Sequence, residues 1–501
     1  MSEPIEPHHS AKAACARGFS LRRVLITLAW IASLIALFYA VENWRGQRAW
    51  ENCQKEMAAK GEPLKLAAYI PPPVPDDQNF AMTPFLAPLF NYGPHGSPAT
   101  NLWRDPAAFE RAIHFGDAEV AKVAYDRGNL GEILKSAVSQ PDVVSQLERE
   151  QAARAVLDAL RNCDPIIEEL RAASSRPHAR FNIHYEEGAS ALVPHLMVVK
   201  KVSTILKHRA IAELALGEFY RAYADVQLGF YIFDVVRREP LHISQLICIA
   251  ELNILVPALQ DAAARHAWSD DQWRGVQTTL AQFDFFAGYR QALHSDMNFA
   301  TVNLEELREE STATTVNDNM KWLFISLIAP RGWLYQNIVT LNRLFFDTAT
   351  PTMNSQTRRV FPKLAAEIET RWEKGLPAAS PYNVLANFLV KLSTEQWRDR
   401  TPLKFATAQV LIDQARLVAA LERFRLANQN YPESLDALAP RFIDKVPHDI
   451  ITGGPMKYRR SADGKFLLYS VGWNETDDDG VTAMTPGSTP SPNRTRGDWV
   501  W

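Results

Sequence analysis

Residues 24–41 read VLITLAWIASLIALFYAV, eighteen residues without a charge. As a helix rising 1.5 Å per residue the run covers about 27 Å, close to the ~30 Å hydrocarbon core of a bilayer. Only Thr27 and Ser33 interrupt it, so it lacks the polar stripe that a core helix of a soluble protein carries. The run therefore reads as a signal-anchor, a single membrane-spanning helix. A cleaved signal peptide would end in small residues at fixed spacing, and Phe38-Tyr39-Ala40-Val41-Glu42 does not.

Orientation follows from Lys12, Arg17, Arg22 and Arg23, which precede the run with no acid among them after Glu6. Positive charge stays inside, so residues 1–23 are expected to be a cytoplasmic tail and residues 42–501 to lie on the other side. The next apolar stretch, WLFISLIA at 322–329, is under half a span long and is cut by Pro330-Arg331. It reads as a buried helix, with an interfacial contact as the alternative.

Beyond that anchor the chain looks ordinary. Its 501 residues are 47% hydrophobic and 22% charged, with a mean hydropathy of −0.20, which excludes a disordered chain. A net charge of −3 and the absence of any long Lys/Arg run argue against nucleic acid as a partner. Cys53, Cys163 and Cys248 form no CxxC and no zinc spacing. Cys248 reads as a small buried hydrophobe, and a Cys53–Cys163 disulfide is open.

Residues 42–100 read as a juxtamembrane helix, to about Lys60, followed by a connector. Ile70-Pro-Pro-Pro-Val-Pro75 must be extended, so 61–100 is expected to be a semi-rigid spacer carrying the folded mass away from the bilayer. Phe80, Phe85, Phe90 and Tyr92 suggest the alternative, a strap packed on the main domain. Residues 101–400 read as helix after helix. Asp105-Pro106 and Ser380-Pro381 have the cap-plus-proline form, and Ser269-Asp-Asp-Gln272 that of a capping box. Ala215-Leu-Gly-Glu-Phe-Tyr220 resembles one tetratricopeptide unit, but no second unit follows, so an antiparallel helix pair is expected.

Residues 401–501 change character. Thr401-Pro402 opens a helix in which Leu411, Ala415, Val418, Leu421 and Phe424 form one apolar face. Strands are expected at 456–460 and 466–470, joined by an Asp463-Gly464 turn. Residues 482–496, rich in Ser, Thr and Pro, should be loop or disordered.

Residues 408–480 resemble the globular lobe of the major, G-type pseudopilin of bacterial type II secretion. The matching pieces are Ala420-Leu-Glu-Arg-Phe-Arg-Leu-Ala-Asn-Gln-Asn-Tyr-Pro432, Ser434-Leu-Asp-Ala-Leu438, Lys445-Val-Pro-His-Asp449 and Leu468-Tyr-Ser-Val-Gly472. They cover under a fifth of the chain. The resemblance implies a calcium ion in the loop after the last strand. Asn474 stands where the family has its first acid, Asp477, Asp478 and Asp479 follow, and Asp498 in Gly-Asp-Trp stands for the second. Calcium favours six to eight oxygen ligands, which an acid triplet and backbone carbonyls could supply. Arg17-Gly-Phe-Ser-Leu21 is similar to a prepilin-peptidase signal, which would cut between Gly18 and Phe19. Arg22 and Arg23 depart from that signal.

No Walker A, dinucleotide fingerprint, HExxH or GxSxG motif occurs. His178, His184, Glu186, Glu187 and His195 are the residual cluster that could bind a metal or move protons. Asp76-Asp77 reads as a turn or cap. The expected architecture is thus mainly α, with a single N-terminal transmembrane helix, a large all-α extracytoplasmic domain and a small α+β C-terminal lobe made of a long helix and a short antiparallel sheet. The expected function is a non-enzymatic scaffold or interaction protein of the bacterial cytoplasmic membrane. It would have no catalytic residues and no cofactor beyond calcium, and its partners would be the membrane and envelope or secretion-system proteins. The alternatives are a processed minor pseudopilin with an inserted helical domain and a membrane-anchored hydrolase.

Overall fold

The computed structural model describes residues 21–62, 64, 68–92, 103–125, 146–185, 187, 191–309, 329–374, 380–383, 386, 400–461, 464–486 and 491–501. Gly18 and Phe19, Glu186 and nearly all of 322–329 lie outside them. The chain is mainly helical. Its first helix, α1 (Leu21–Ala59), runs unbroken from the apolar segment into the charged one. The two halves differ in what they touch. Residues 22–38 are solvent-exposed on every face, whereas Glu42, Gly46, Trp50, Cys53 and Met57 recur every three or four residues and are buried.

The helical body follows as α2 (Pro106–Ile113), α3 (Asp117–Tyr125), α4 (Gln146–Leu160), α5 (Asp164–Ala173), α6 (His195–Ala215), α7 (Phe219–Val236), α8 (His242–Ala264), α9 (Asp270–Leu280), α10 (Phe285–Glu309) and α11 (Arg331–Leu344). The local start signals act as expected. Asp105 accepts from Ala108 N with Pro106 beside it, and Ser269 and Gln272 close a full capping box. The third start, at Ser380, is a turn over 381–383. The helices α6 and α7 pack against each other, and both pack on α8. Gly229 makes the α7–α8 approach possible, since a Cβ there would lie 2.6 Å from Leu255.

Length and composition would also let α8 cross a membrane, but 61% of its most apolar window is buried, against none for α1. It is a core helix, and Cys248, Leu252, Leu255 and Leu259 are enclosed. Its Glu251 is enclosed too, with Ser203 Oγ donating at 3.0 Å. Burial pushes the Glu251 carboxyl up to about 8 from an ordinary 4.5, against the lowering effect of Ser203. The unfolded chain loses this proton near pH 4.5 and the folded chain only near 8, so this group's stabilisation is complete at low pH and fades as pH rises through that window. Glu251→Gln should remove the slope and raise Tm at pH 8.5 by roughly 2–4 °C, leaving Tm at pH 4.5 nearly unchanged. Thermal melts of wild type and variant across that range would check it; parallel curves would show the carboxyl already ionised.

The proline-rich stretch is a strap rather than a spacer. Phe80, Leu86, Leu89 and Phe90 are buried in the main core. The Asn79 side chain accepts from Arg180 N and donates to Arg180 O, and Phe80 N donates to His178 O. A free linker would expose those rings to water at about 25 cal/mol per Å², so the apolar residues decide the placement and the prolines only its extended form. Asp76 and Asp77 open a one-turn 3-10 helix.

After a two-residue ladder, β1 (Met353–Asn354) with β2 (Arg359–Val360), and α12 (Pro362–Lys374), the chain reaches α13 (Thr401–Asn428). This helix exceeds its expected single apolar face. Gln409, Asp413, Gln414, Glu422 and Arg423 are buried as well as the apolar residues, because α8, α9 and α10 pack on this helix and so do β4 and β6. A three-stranded antiparallel sheet has the order β3 (Lys457–Arg460), β4 (Phe466–Ser470), β7 (Trp499–Val500). The tail expected to be loop instead pairs β5 (Thr482–Met484) with β6 (Pro492–Gly497). Trp499, buried and donating to Arg494 O, pins its end, and Thr485 hydrogen-bonds Ser491 across it. Cys53, Cys163 and Cys248 are free and buried. Cys53 lies in the α1–α11 seam and Cys163 in the main core, so the disulfide left open does not form.

Candidate functional site

A polar site built by distant segments lies where the apolar run ends. Glu42, the first residue after Val41, is 6% exposed. Its carboxylate accepts from Arg45 at 2.8 Å, Trp333 Nε1 at 3.0 Å and the Tyr382 hydroxyl at 3.0 Å. Asn43 Oδ1 accepts Gly332 N at 3.0 Å, one of the first N–H groups of α11, which no helical carbonyl can satisfy. The backbones meet directly. A Cβ on Gly332 would fall 1.8 Å from Glu42 O, and one on Gly46 2.2 Å from Gly332 O. Below this crossing Trp50, Cys53 and Met57 of α1 pack with Ile338 and Val339 of α11. At the far end Glu62 takes Arg290 and His294 of α10, and Tyr69 reaches the same imidazole. Burial works to raise the Glu62 carboxyl, but the His294 hydrogen bond and the Arg290 charge override it and hold it below its usual range. The helix α1 is therefore clamped to the folded body at both ends of its charged half.

The His/Glu residues singled out in the sequence do not form one site. His178 is exposed, and its backbone serves the strap. His184 stacks on Tyr92 and faces Glu187 at 3.6 Å. His195 is fully buried between Phe90 and Phe181, with Nε2 2.7 Å from Glu239, which also accepts from Ser244. This Ser–Glu–His chain has its carboxylate in the middle, so the serine never contacts the imidazole that would activate it. The open pocket between α7, α8 and α10 is floored by Phe233, Cys248 and Phe285. Its polar groups hold the fold: Arg237 pairs with Asp234, Asp284 caps α10 and takes Arg358, and Gln245 and Gln291 donate to Glu239 O.

Near the carboxy terminus the 474–479 loop and Asp498 do bring Asn474, Asp477, Asp478, Asp479 and Asp498 together, but their oxygens face different partners. Asp477 takes Lys457 at 2.8 Å and the Tyr469 hydroxyl at 3.0 Å. The lysine's hydrogen bond lowers the Asp477 pKa. Asn474 donates to Asp478, and buried Asp498 accepts Asp478 N and Gly480 N. Asp479 N closes on Asp477. A calcium ion here would have to draw Asp477 away from Lys457 and Tyr469. Among the described residues no three His, Cys, Asp or Glu side chains are placed to hold a metal ion.

The clamp was missed at the sequence level. Its one legible signal is an acid and an Asn directly after an apolar run, set among Trp44, Arg45 and Arg48; their partners lie about 290 residues away. No family model, curated protein or solved structure matches the chain.

Proposed function

We propose that this chain is a membrane-anchored, non-enzymatic scaffold or interaction protein of the bacterial envelope. In this reading residues 24–41 span the cytoplasmic membrane, the amino terminus is cytoplasmic and the helical body is extracytoplasmic. One observation carries it. The apolar half of α1 is exposed on all faces while its charged half is built into the folded body, as expected of a helix whose first solvent is lipid and whose second is protein. The four basic residues before the run support the orientation, and the pseudopilin resemblance of 408–480 supports a place beside type II secretion. Calcium in the 474–479 loop belongs to that same resemblance.

A cysteine introduced at Asp271, whose side chain is 92% exposed, tests the topology. In the Cys15→Ser background, a membrane-impermeant maleimide should label Asp271→Cys once the outer membrane is permeabilised, with the inner membrane intact. Labelling only after inner-membrane lysis would reverse the topology. Affinity purification of the full chain in mild detergent should then recover secretion-apparatus subunits; their absence would leave a scaffold of another envelope assembly.

A further inference from the structure

We propose that the corner where α1 meets α11 is a membrane-surface face that docks on anionic phospholipid headgroups of the bilayer holding the anchor. The inference rests on the anchor reading above and adds to it where the folded body sits. If Val41 marks the edge of the hydrocarbon, Trp44 lies about 4.5 Å and Arg48 about 10 Å further along the helix. The headgroup layer is about 5–7 Å thick on each side, so Trp44 and Arg45 fall within it; the Arg48 backbone lies ~3 Å beyond, and its guanidinium turns back over Trp44 toward the layer. All three are exposed, and the Arg48 guanidinium lies 5.5 Å over the Trp44 ring, an amphipathic pair suited to an interface.

The partner helix is held at the same level. Gly332 touches the backbone of Glu42 and Asn43, so exposed Arg331, its neighbour, cannot stand far from the plane of residue 42. The Trp333 ring contacts Phe38, one turn inside the apolar run, at 6.2 Å. Trp333 thus points toward lipid while its Nε1 is held by Glu42. Among the described residues the corner carries Arg45, Arg48 and Arg331; of the acids on this stretch of α1, Glu42 is buried and paired with Arg45, and Glu51 lies one turn beyond Arg48 and takes Gln47. That leaves an exposed positive face, and guanidinium groups pair with phosphate oxygens through two parallel N–H donors. The strap reinforces the placement, because residues 80–90 pack on the body instead of carrying it outward.

The test uses the full chain with Cys15→Ser in nanodiscs of phosphatidylcholine, alone or with one-quarter phosphatidylglycerol. Nitroxide labels go singly at Ile31, Arg48, Arg331 and Asp271. Oxygen and nickel-chelate accessibility should place Ile31 in hydrocarbon, Arg48 and Arg331 at headgroup depth, and Asp271 in water. In native mass spectrometry the unlabelled protein should retain phosphatidylglycerol over phosphatidylcholine severalfold, and Arg48→Gln with Arg331→Gln should lose most of that preference. Neither arginine belongs to the clamp, so the fold should persist. Labels at 48 and 331 as water-exposed as Asp271, with Ile31 in lipid, overturn the docking face alone. Equal lipid retention by wild type and double variant does the same. An Ile31 label in water overturns the anchor reading and this inference together.

Discussion

Replacing Gly332 with leucine should expose Cys53 to thiol reagents about five- to a hundredfold faster while leaving Cys163 and Cys248 protected. The physical cause is a backbone-to-backbone contact. A Cβ at 332 would sit 1.8 Å from Glu42 O and 2.4 Å from Glu42 C, and neither atom can turn aside as a side chain can. The helices must separate, which breaks the Asn43 bond to Gly332 N and the Glu42 bond to Trp333. Overpacking of this kind costs about 1–3 kcal/mol, and each 1.4 kcal/mol raises the open population tenfold. Cys53 reports the opening because it is fully buried within that seam, and burial also raises its thiol pKa and suppresses reaction. Cys163 and Cys248 lie in the separate main core and serve as internal controls. Timed labelling in the Cys15→Ser background, read by mass spectrometry, would check it. An unreactive Cys53 would mean that the clamp does not depend on this crossing, and Gly332→Ala should fall between wild type and leucine.

Much of the local structure was legible because its causes are local. The apolar run needs only its own composition, and the caps at Asp105 and Ser269 need only three following residues. The strands at 457–460 and 466–470 fall within the expected 456–460 and 466–470, since a hairpin's partners are neighbours in the chain, while Asp463 of the expected turn lies outside the described residues. What was missed depends on distant partners. Glu42 looks like the first charged residue of a juxtamembrane helix, and nothing nearby shows that Trp333 and Tyr382 enclose it. The polar positions of α13 read as its wet face, yet Gln409 donates to Asp413 and its carbonyl accepts Phe285 N, while Arg423 binds Asp270, Gln277 and Phe442 O. A helix packed on by helices and strands alike satisfies polar groups in pairs, and such pairing leaves no hydropathy signal. The Ser/Thr/Pro tail misled for the same reason: its composition suits a loop, and the deciding anchor is Trp499 under α13, through Gln414. The histidines drew attention as a sequence cluster, but the fold sends His178 to the surface and His195 to the core.

Asp225→Ala should destabilise the helical body by about 3 kcal/mol, the low end of the range for breaking a buried ion pair. Asp225 is 1% exposed and joins three helices, accepting from Arg171 of α5 and from Arg209 Nε of α6 at 2.8 Å. Deleting it leaves two guanidiniums facing an apolar gap. Arg209 keeps Asp164, and Arg171 keeps Ala224 O at 2.8 Å, so neither loses every partner. A second compensation is built in. Burial, and then the Asp225 charge, push the Glu213 carboxyl up to about 8, so it is largely neutral at pH 7. With Asp225 gone that repulsion disappears, and Glu213, 3.8 Å from Arg209, should ionise and take over part of the pairing. Two measurable consequences follow from this coupling. In Asp225→Ala the loss should be smaller at pH 8 than at pH 5, because the substitute carboxylate exists only when deprotonated. Glu213→Gln should be nearly neutral or slightly stabilising in the wild-type background, where it replaces an uncharged acid, and clearly destabilising in the Asp225→Ala background. A double-mutant cycle by denaturant or thermal unfolding in detergent, run at both pH values, would measure the coupling. Additive effects at both pH values would show that Glu213 does not respond to Asp225 and that the buried arginines are held by Asp164 and backbone carbonyls alone.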